Sequence, residues 1–330
     1  MTDVLVARAL ARGGVLSMAD IKHAGLRSRD IIRLVDDGTV IRVAPRAYVL
    51  GTSMAEAATP EERHKLSAMA RVLSFGDRVA ASHHSALALH GLPFWRVPDD
   101  EFHVARTTGR SSRRRGDLLL HESYPSECGD LTVLIRSPAT GITAVSVALA
   151  VIGTAMVDGE EAGVVAADAA LHRELMTAQE CSAWLEALTR RPGLATARRV
   201  LELAEPLTES VGESRTRLLL HAMPGLPAVT PQHPFVDDAG HEWARADFLV
   251  GERLVVEFDG RTKYRAAEGS NTAEVEDIVW REKRREDRIR QDGGGKVVVR
   301  LIWADLDNGG RARPMVRAGL RQVEDLPRTA

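Results

Sequence analysis

The sequence predicts an α/β chain of the α+β kind, made of more than one domain. Three observations lead there. At 330 residues the chain is longer than one ordinary core holds, so two or three domains are expected. Residues 1–50 alternate helical and strand patterns in the order helix, helix, helix, hairpin. Residues 206–330 read as a helix, several strands, a charged helix and a last apolar strand. Between them, residues 51–205 read as a mixed α/β middle region.

In the first part, Val4 to Ala11 has the pattern of a short apolar helix. Ser17-Met18-Ala19-Asp20 resembles a capping-box start for a helix that stops near Gly25. Ser28 is placed to cap a third helix, whose Ile31, Leu34 and Val35 form an apolar stripe and which Gly38 ends. Thr39 to Val43 and Arg46 to Leu50 alternate as strands around Ala44-Pro45. This is the element order of a winged helix-turn-helix over residues 1–50. Arg27, Arg29 and Arg33 lie off the apolar stripe, where a groove-reading helix carries its cations. A small helical domain used only for packing is the alternative.

The middle region is less legible. Pro60-Glu61-Glu62 opens a helix through Leu73, and Val79 to Ala86 leads into a short helix ending at His90. The pair His83-His84 has no third ligand spaced nearby and is not expected to hold a metal. Strands are expected at Glu101 to Arg106 and Asp117 to His121, flanking an arginine-rich turn with Arg110, Arg113, Arg114 and Arg115, and another at Leu131 to Arg136. Ala144 to Gly153, Ala162 to Leu171, Thr177 to Thr189 and Leu194 to Leu203 look helical. No internal repeat or low-complexity tract is present.

In the third part, a helix from Ser210 to Met223 is followed by a Pro- and Gly-rich link. Strands follow near His233 to Val236, at Ala244 to Val250 and at Arg253 to Phe258. A polar segment, Arg261 to Thr272, precedes a charged helix ending near Gly293. In that helix the run Arg281 to Arg290 holds six basic residues against three acidic ones, Lys283, Arg284 and Arg288 among the basic. Lys296 to Ile302 is the β-branched run of a buried strand.

The chemistry concentrates on Asp247, Glu257 and Asp259. They sit near the ends of apolar strands, where an unpaired charge costs several kcal/mol or shifts its pKa. Glu257 and Asp259 are two apart and share a strand face. If a hairpin brings Asp247 alongside, the repulsion calls for a cation, and oxygen ligands suit Mg2+ or Mn2+. Such an ion acidifies a bound water and stabilises a phosphorane-like transition state. The alternative is that the acids pair with Arg245, Arg253 or Arg261, or lie at exposed strand ends.

Residues 206–306 resemble the PD-(D/E)XK, restriction-endonuclease-like superfamily, and within it the domains related to very-short-patch-repair endonucleases. The matching residues are Glu213 and Arg217 on a helix, Asp247-Phe248, Glu257-Phe258-Asp259-Gly260, then Arg284, Asp287 and Arg288 on the charged helix, and Arg300 in the last strand. The resemblance implies a DNA endonuclease in which Glu213, Asp247, Glu257 and Asp259 serve the metal. The superfamily's usual lysine two places after the second acid is Asp259 here, which leaves Lys263 to activate water. The N-terminal part resembles the winged-helix domain of AbiEi-type antitoxins of type IV toxin–antitoxin systems. It does so in Gly14-Val15-Leu16, Gly25-Leu26, Asp30 to Val35, Gly38, Arg42-Val43 and Ala47 to Leu50; Ser82 to Ala86 and His90 to Pro93 recur in such proteins.

Two readings follow. The favoured one is a Mg2+- or Mn2+-dependent endonuclease acting on double-stranded DNA. The other is a DNA-binding regulator or antitoxin with a degenerate nuclease fold, and with a toxin as a further partner. Other classes are excluded more simply. The chain is 44% hydrophobic and 27% charged, and no apolar stretch is long enough to span a membrane. Its start, MTDVLVARALARGG, lacks the features of a secretory signal. Two cysteines, Cys128 and Cys181, give neither a disulfide scaffold nor a zinc spacing, so a cytoplasmic location is expected.

Overall fold

A computed structural model describes residues 2–96, 100–109, 111–125, 131–260, 272–307 and 310–327. The fold is mixed α/β, with three sheets among these residues. The chain forms two compact units, Met1–Ala204 and Glu205–Ala330. The first 50 residues and the middle region thus belong to one unit.

The first unit opens with α1 (Thr2–Leu10), β1 (Val15–Ser17), α2 (Met18–His23), α3 (Ser28–Asp36), β2 (Val40–Ala44) and β3 (Ala47–Leu50). β1 and β2 flank β3, both antiparallel to it. Leu5, Leu16, Ile21, Ile31, Leu34, Val40, Tyr48 and Leu50 form their shared core. Asp20 ties this region together. It accepts from the Ser17 N–H and Oγ at 2.9 and 2.7 Å, and from Arg8 of α1 and Arg12 in the turn after it, both at 2.9 Å. Burial pushes the Asp20 carboxyl up, but the Ser17 hydrogen bonds and the two guanidiniums outweigh it and hold the pKa low.

One local expectation changes here. Ser28 is the first helical residue of α3 rather than its cap. Arg27 is the cap, its N–H donating to the Asp30 carboxylate at 2.7 Å. A side chain three residues into the helix therefore satisfies the free N–H, which is the other half of the capping-box chemistry.

The unit continues through α4 (Gly51–Glu56), α5 (Pro60–Phe75), β4 (Val79–Ala81), α6 (His83–Leu89), β5 (Phe102–Arg106), β6 (Arg113–Arg115), β7 (Leu118–His121), β8 (Leu134–Arg136) and β9 (Thr143–Val145). The strands β4 to β9 make one sheet in the order β6-β7-β5-β4-β9-β8. The expected arginine-rich turn is thus a strand. Arg113, Arg114 and Arg115 pair with Leu120, Leu119 and Leu118 along β7. β6 is an edge strand with all three residues exposed, a place where charge is tolerated and blunts further pairing. Four helices follow, α7 (Val147–Asp158), α8 (Glu160–His172), α9 (Ala178–Ala187) and α10 (Leu194–Leu203). α7 is apolar on every side and nearly all buried.

The second unit contains α11 (Val211–His221), β10 (Val229–Val236), β11 (Glu242–Val250), β12 (Leu254–Phe258), α12 (Thr272–Gln291), β13 (Val297–Leu301), α13 (Trp303–Leu306) and α14 (Ala312–Glu324). Its sheet runs β10-β11-β12-β13, with the first three antiparallel and β13 parallel to β12. A parallel partner needs a crossover, and α12 lies in it. One set of apolar residues, including Leu220, Phe248, Val250, Leu254, Val256 and Leu301, forms one core. Ala246, Leu249, Val255 and Ile289 of α12 belong to another. No helix among the described residues is long and apolar enough to cross a membrane.

Gly212, next to Glu213 in the first turn of α11, sets how closely that helix meets β12. A Cβ there would lie 1.9 Å from Phe258 Cε1, and Phe258 is itself braced edge-on against Trp303 at 4.8 Å. Gly212→Ala should therefore destabilise the protein by about 1–3 kcal/mol. Urea denaturation followed by tryptophan fluorescence checks this, and an unchanged midpoint would show that the helix is free to move away.

Candidate functional site

The acidic residues singled out in the sequence occupy the second unit's sheet and its leading helix. Glu213 sits in the first turn of α11, where Ser210 caps the helix by accepting from the Glu213 N–H at 3.2 Å. The Glu213 carboxylate accepts in turn from Ser210 Oγ at 2.7 Å, the Glu209 N–H at 3.0 Å and Gln232 Nε2 at 2.9 Å. Gln232 is a functional candidate that sequence reasoning misses. It is a β10 residue with a left-handed backbone, φ 48°, a conformation disfavoured for a side chain of this kind. The pairs Pro231–Phe248 and His233–Ala246 bracket it, which puts it level with Asp247. Gln232 thus reaches Glu213 from the strand level of Asp247, and the signal for it is backbone strain that no sequence pattern carries.

Asp247 is half-buried and accepts from the Phe258 N–H at 2.7 Å. Its strand pairs with β12 up to Phe248–Val256, one step short of the level of Glu257. Asp259, one residue past the end of β12, donates its own N–H to the Leu301 carbonyl at 2.7 Å. Lys263, Arg261 and Tyr264 lie outside the described residues, as do Arg110 and Cys128.

Glu257 is only 7% exposed. Two cations hold it: Arg285 of α12 at 2.8 Å and Arg300 of β13 at 3.1 Å. The network continues outward. Arg285 also meets Glu282 at 2.8 Å, and Arg300 meets Glu282 and Glu286 at 3.1 and 3.2 Å. The hydrogen bond to Glu282, and after it Glu257, drives the Arg285 pKa upward against its burial. Burial opposes the charge on Arg300, but Glu257 more than offsets it and the pKa rises. The picture of acids repelling one another unless an ion intervenes is therefore corrected at Glu257: guanidiniums supply its counter-charge. At Glu213 the carboxylate is oriented by Ser210, Glu209 and Gln232, neutral donors all three.

The basic residues fall in three places. Arg27, Arg29 and Arg33 are exposed on and just before α3, while Ile31 and Leu34 of the same helix are buried. On β6, Arg114 is drawn to Glu101 at 2.7 Å. On α12, Lys283, Arg284 and Arg288 are exposed; Arg284 lies 5.8 Å from the Trp280 ring centroid and Arg288 lies over Trp243 at 3.9 Å.

A second polar cluster lies in the first unit. His83 and His84 do acquire further histidines, because the sheet brings in His103 of β5 and His121 of β7. Among the described residues, His83, His103 and His121 are the group whose ligand atoms all lie within 4.8 Å of one another. Sequence spacing misses it because the three come from separate elements. His84 is engaged elsewhere, by Asp158 at 2.9 Å and the Glu101 carbonyl at 2.9 Å. Burial, reinforced by the neighbouring imidazoles, pushes the His83 pKa well below its ordinary value and that of His103 down to about 2. Burial, then Arg191, lowers His121 to about 4.

These imidazoles make the first unit sensitive to acid. Each binds its proton more readily in the unfolded chain, whose histidines titrate near 6.5. Their contribution to stability is therefore intact above about pH 6.5 and falls as pH drops through about 4, the native value of His121. Thermal melts in EDTA between pH 7 and pH 4 should show this loss, with a shallower decline in His121→Asn. Parallel declines in the two proteins would exclude His121 as a source. No protein-family model matches the sequence, and no curated protein was found to be similar to it.

Proposed function

We propose that the protein binds double-stranded DNA through α3 and acts as a regulator or antitoxin. Its second unit would be a nuclease-type fold used as a scaffold. The observation that carries the reading is the division of α3 into a buried apolar side and an exposed side bearing Arg29 and Arg33, with Arg27 at its start and the β2–β3 hairpin following it. That is the arrangement a winged helix uses to enter a groove. The helix, three antiparallel strands, helix and parallel strand of the second unit agree with the order the restriction-endonuclease resemblance implies. Arg285 and Arg300 at Glu257 favour the scaffold, because a carboxylate already neutralised by two guanidiniums is a poor metal ligand. An antitoxin role implies a toxin as partner.

The endonuclease remains the second reading, favoured by Gln232, which donates to Glu213 and stands level with Asp247 on the neighbouring strand. There Mg2+ or Mn2+ would be held by Asp247 with Glu257 and Asp259, and Lys263 would serve the attacking water.

Two measurements test the proposal. Arg29→Ala with Arg33→Ala should weaken binding to duplex DNA and reduce the log–log salt slope by about 2, one for each phosphate that is no longer neutralised. Unchanged binding would remove α3 from the interface. Supercoiled plasmid incubated with the protein and Mn2+ should stay intact. Nicking that disappears in Asp247→Ala would overturn the scaffold and establish the enzyme.

A further inference from the structure

We propose that His83, His103 and His121 form a binding site for one divalent transition-metal ion of the zinc type, in the first unit and independent of the DNA reading. Three imidazoles with an open fourth position are a donor set that suits zinc and its first-row neighbours and is poor for Mg2+.

The side chains are held for this. His103 Nε2 contacts Glu101 Oε1 at 3.0 Å, and Glu101 is anchored by Arg114 at 2.7 Å. A carboxylate on the far nitrogen is the usual outer partner of a metal-bound histidine: it fixes the tautomer and leaves the near nitrogen as the donor atom. The near nitrogen, Nδ1, lies 2.9 Å from His121 Nε2. Without an ion one proton bridges that pair. An ion would replace it there, and the His121 proton would move to its Nδ1.

His83 is positioned at some cost. It has a left-handed backbone, φ 51°, at the start of α6, and its Nδ1 is 3.0 Å from Ser82 Oγ. Opposite its ring, α7 carries Gly153, where a Cβ would come within 3.0 Å of the imidazole. A strained backbone on one side and a missing side chain on the other both serve to seat this ring. The ring centroids of His83 and His121 each lie 4.9 Å from that of His103, and His83 stacks on His121 at 3.9 Å. An ion at about 2.1 Å from each nitrogen would widen that stack towards the spacing of the other two pairs. All three rings are neutral at pH 7, so no proton competes for the lone pairs.

The test uses the full chain without a polyhistidine tag, stripped with EDTA and titrated with Co2+, then with Zn2+. We expect one Co2+ per chain, with the strong visible absorption of a four-coordinate ion, displaced by one equivalent of Zn2+. Zn2+ should also raise the melting temperature. His121→Asn, at a partly exposed ring, and His103→Gln should abolish stoichiometric binding while circular dichroism shows the fold retained. If His103→Gln fails to fold, His121→Asn decides the matter alone. Glu101→Gln should weaken affinity about 10–100-fold. A wild-type protein that takes up no Co2+, or uptake that survives His121→Asn, would overturn the site. So would uptake abolished by Asp247→Ala instead, since that places the ion in the second unit.

Discussion

Neutralising Glu257 is the constraint on which the second unit depends. Its carboxylate is almost wholly buried on β12, with β11 on one side and β13 on the other, and a lone charge there would cost several kcal/mol. Arg300 answers it from the neighbouring strand, paired with Glu257 in the parallel register. Arg285 answers it from α12. Those two ion pairs fix both the level of β13 and the rotation of α12. With Arg285 turned to Glu257, Ile289 one turn later falls among Ala246, Leu249 and Val255. Charge pairing and apolar packing thus specify the same placement of the helix, a consistency that favours one arrangement over its alternatives.

The elements with local signals were legible in the sequence. The Ser17–Asp20 capping box, the hairpin around Ala44-Pro45 and the helix from Leu194 to Leu203 all occur where their residues indicate. What escaped depends on distant partners. β1 is three residues long and exists because β3 pairs with it. Arg113 to Arg115 have the composition of a loop and form a strand because Leu118 to Leu120 offer a ladder. The acids of the candidate site were visible, but their partners were not. Arg285 and Arg300 lie 28 and 43 residues from Glu257, and only the crossover through α12 brings them there.

The histidines show the same limit from the other direction. Ligand spacing is readable when a metal site is built on one turn or one helix. His83, His103 and His121 come from a helix start and two adjacent parallel strands, so their proximity is a property of the sheet. The two polar clusters also differ in kind. The one at Glu257 is charged and balanced by cations of its own chain. The one at His83 is neutral, because burial removes the protons. Lone pairs left in such a setting are donors in want of an acid, which is why an ion is a reasonable occupant there and a less natural one at Glu257.

A net charge of −2 would ordinarily count against nucleic acid as a partner. The charge on α3 is arranged otherwise. Its one acid in the first turn, Asp30, is committed to the Arg27 N–H, and Arg29 approaches it only to 4.0 Å with most of its side chain in solvent. Arg27 and Arg29 stand at the positive end of the helix dipole, and Arg33 lies one turn along from Arg29. Phosphates approaching this face would meet cations whose fields add to the dipole within a Debye length, while most acids elsewhere are screened at physiological salt. The sum over the chain therefore says little about the interface. What favours DNA is one helix whose apolar stripe forces its arginines outward.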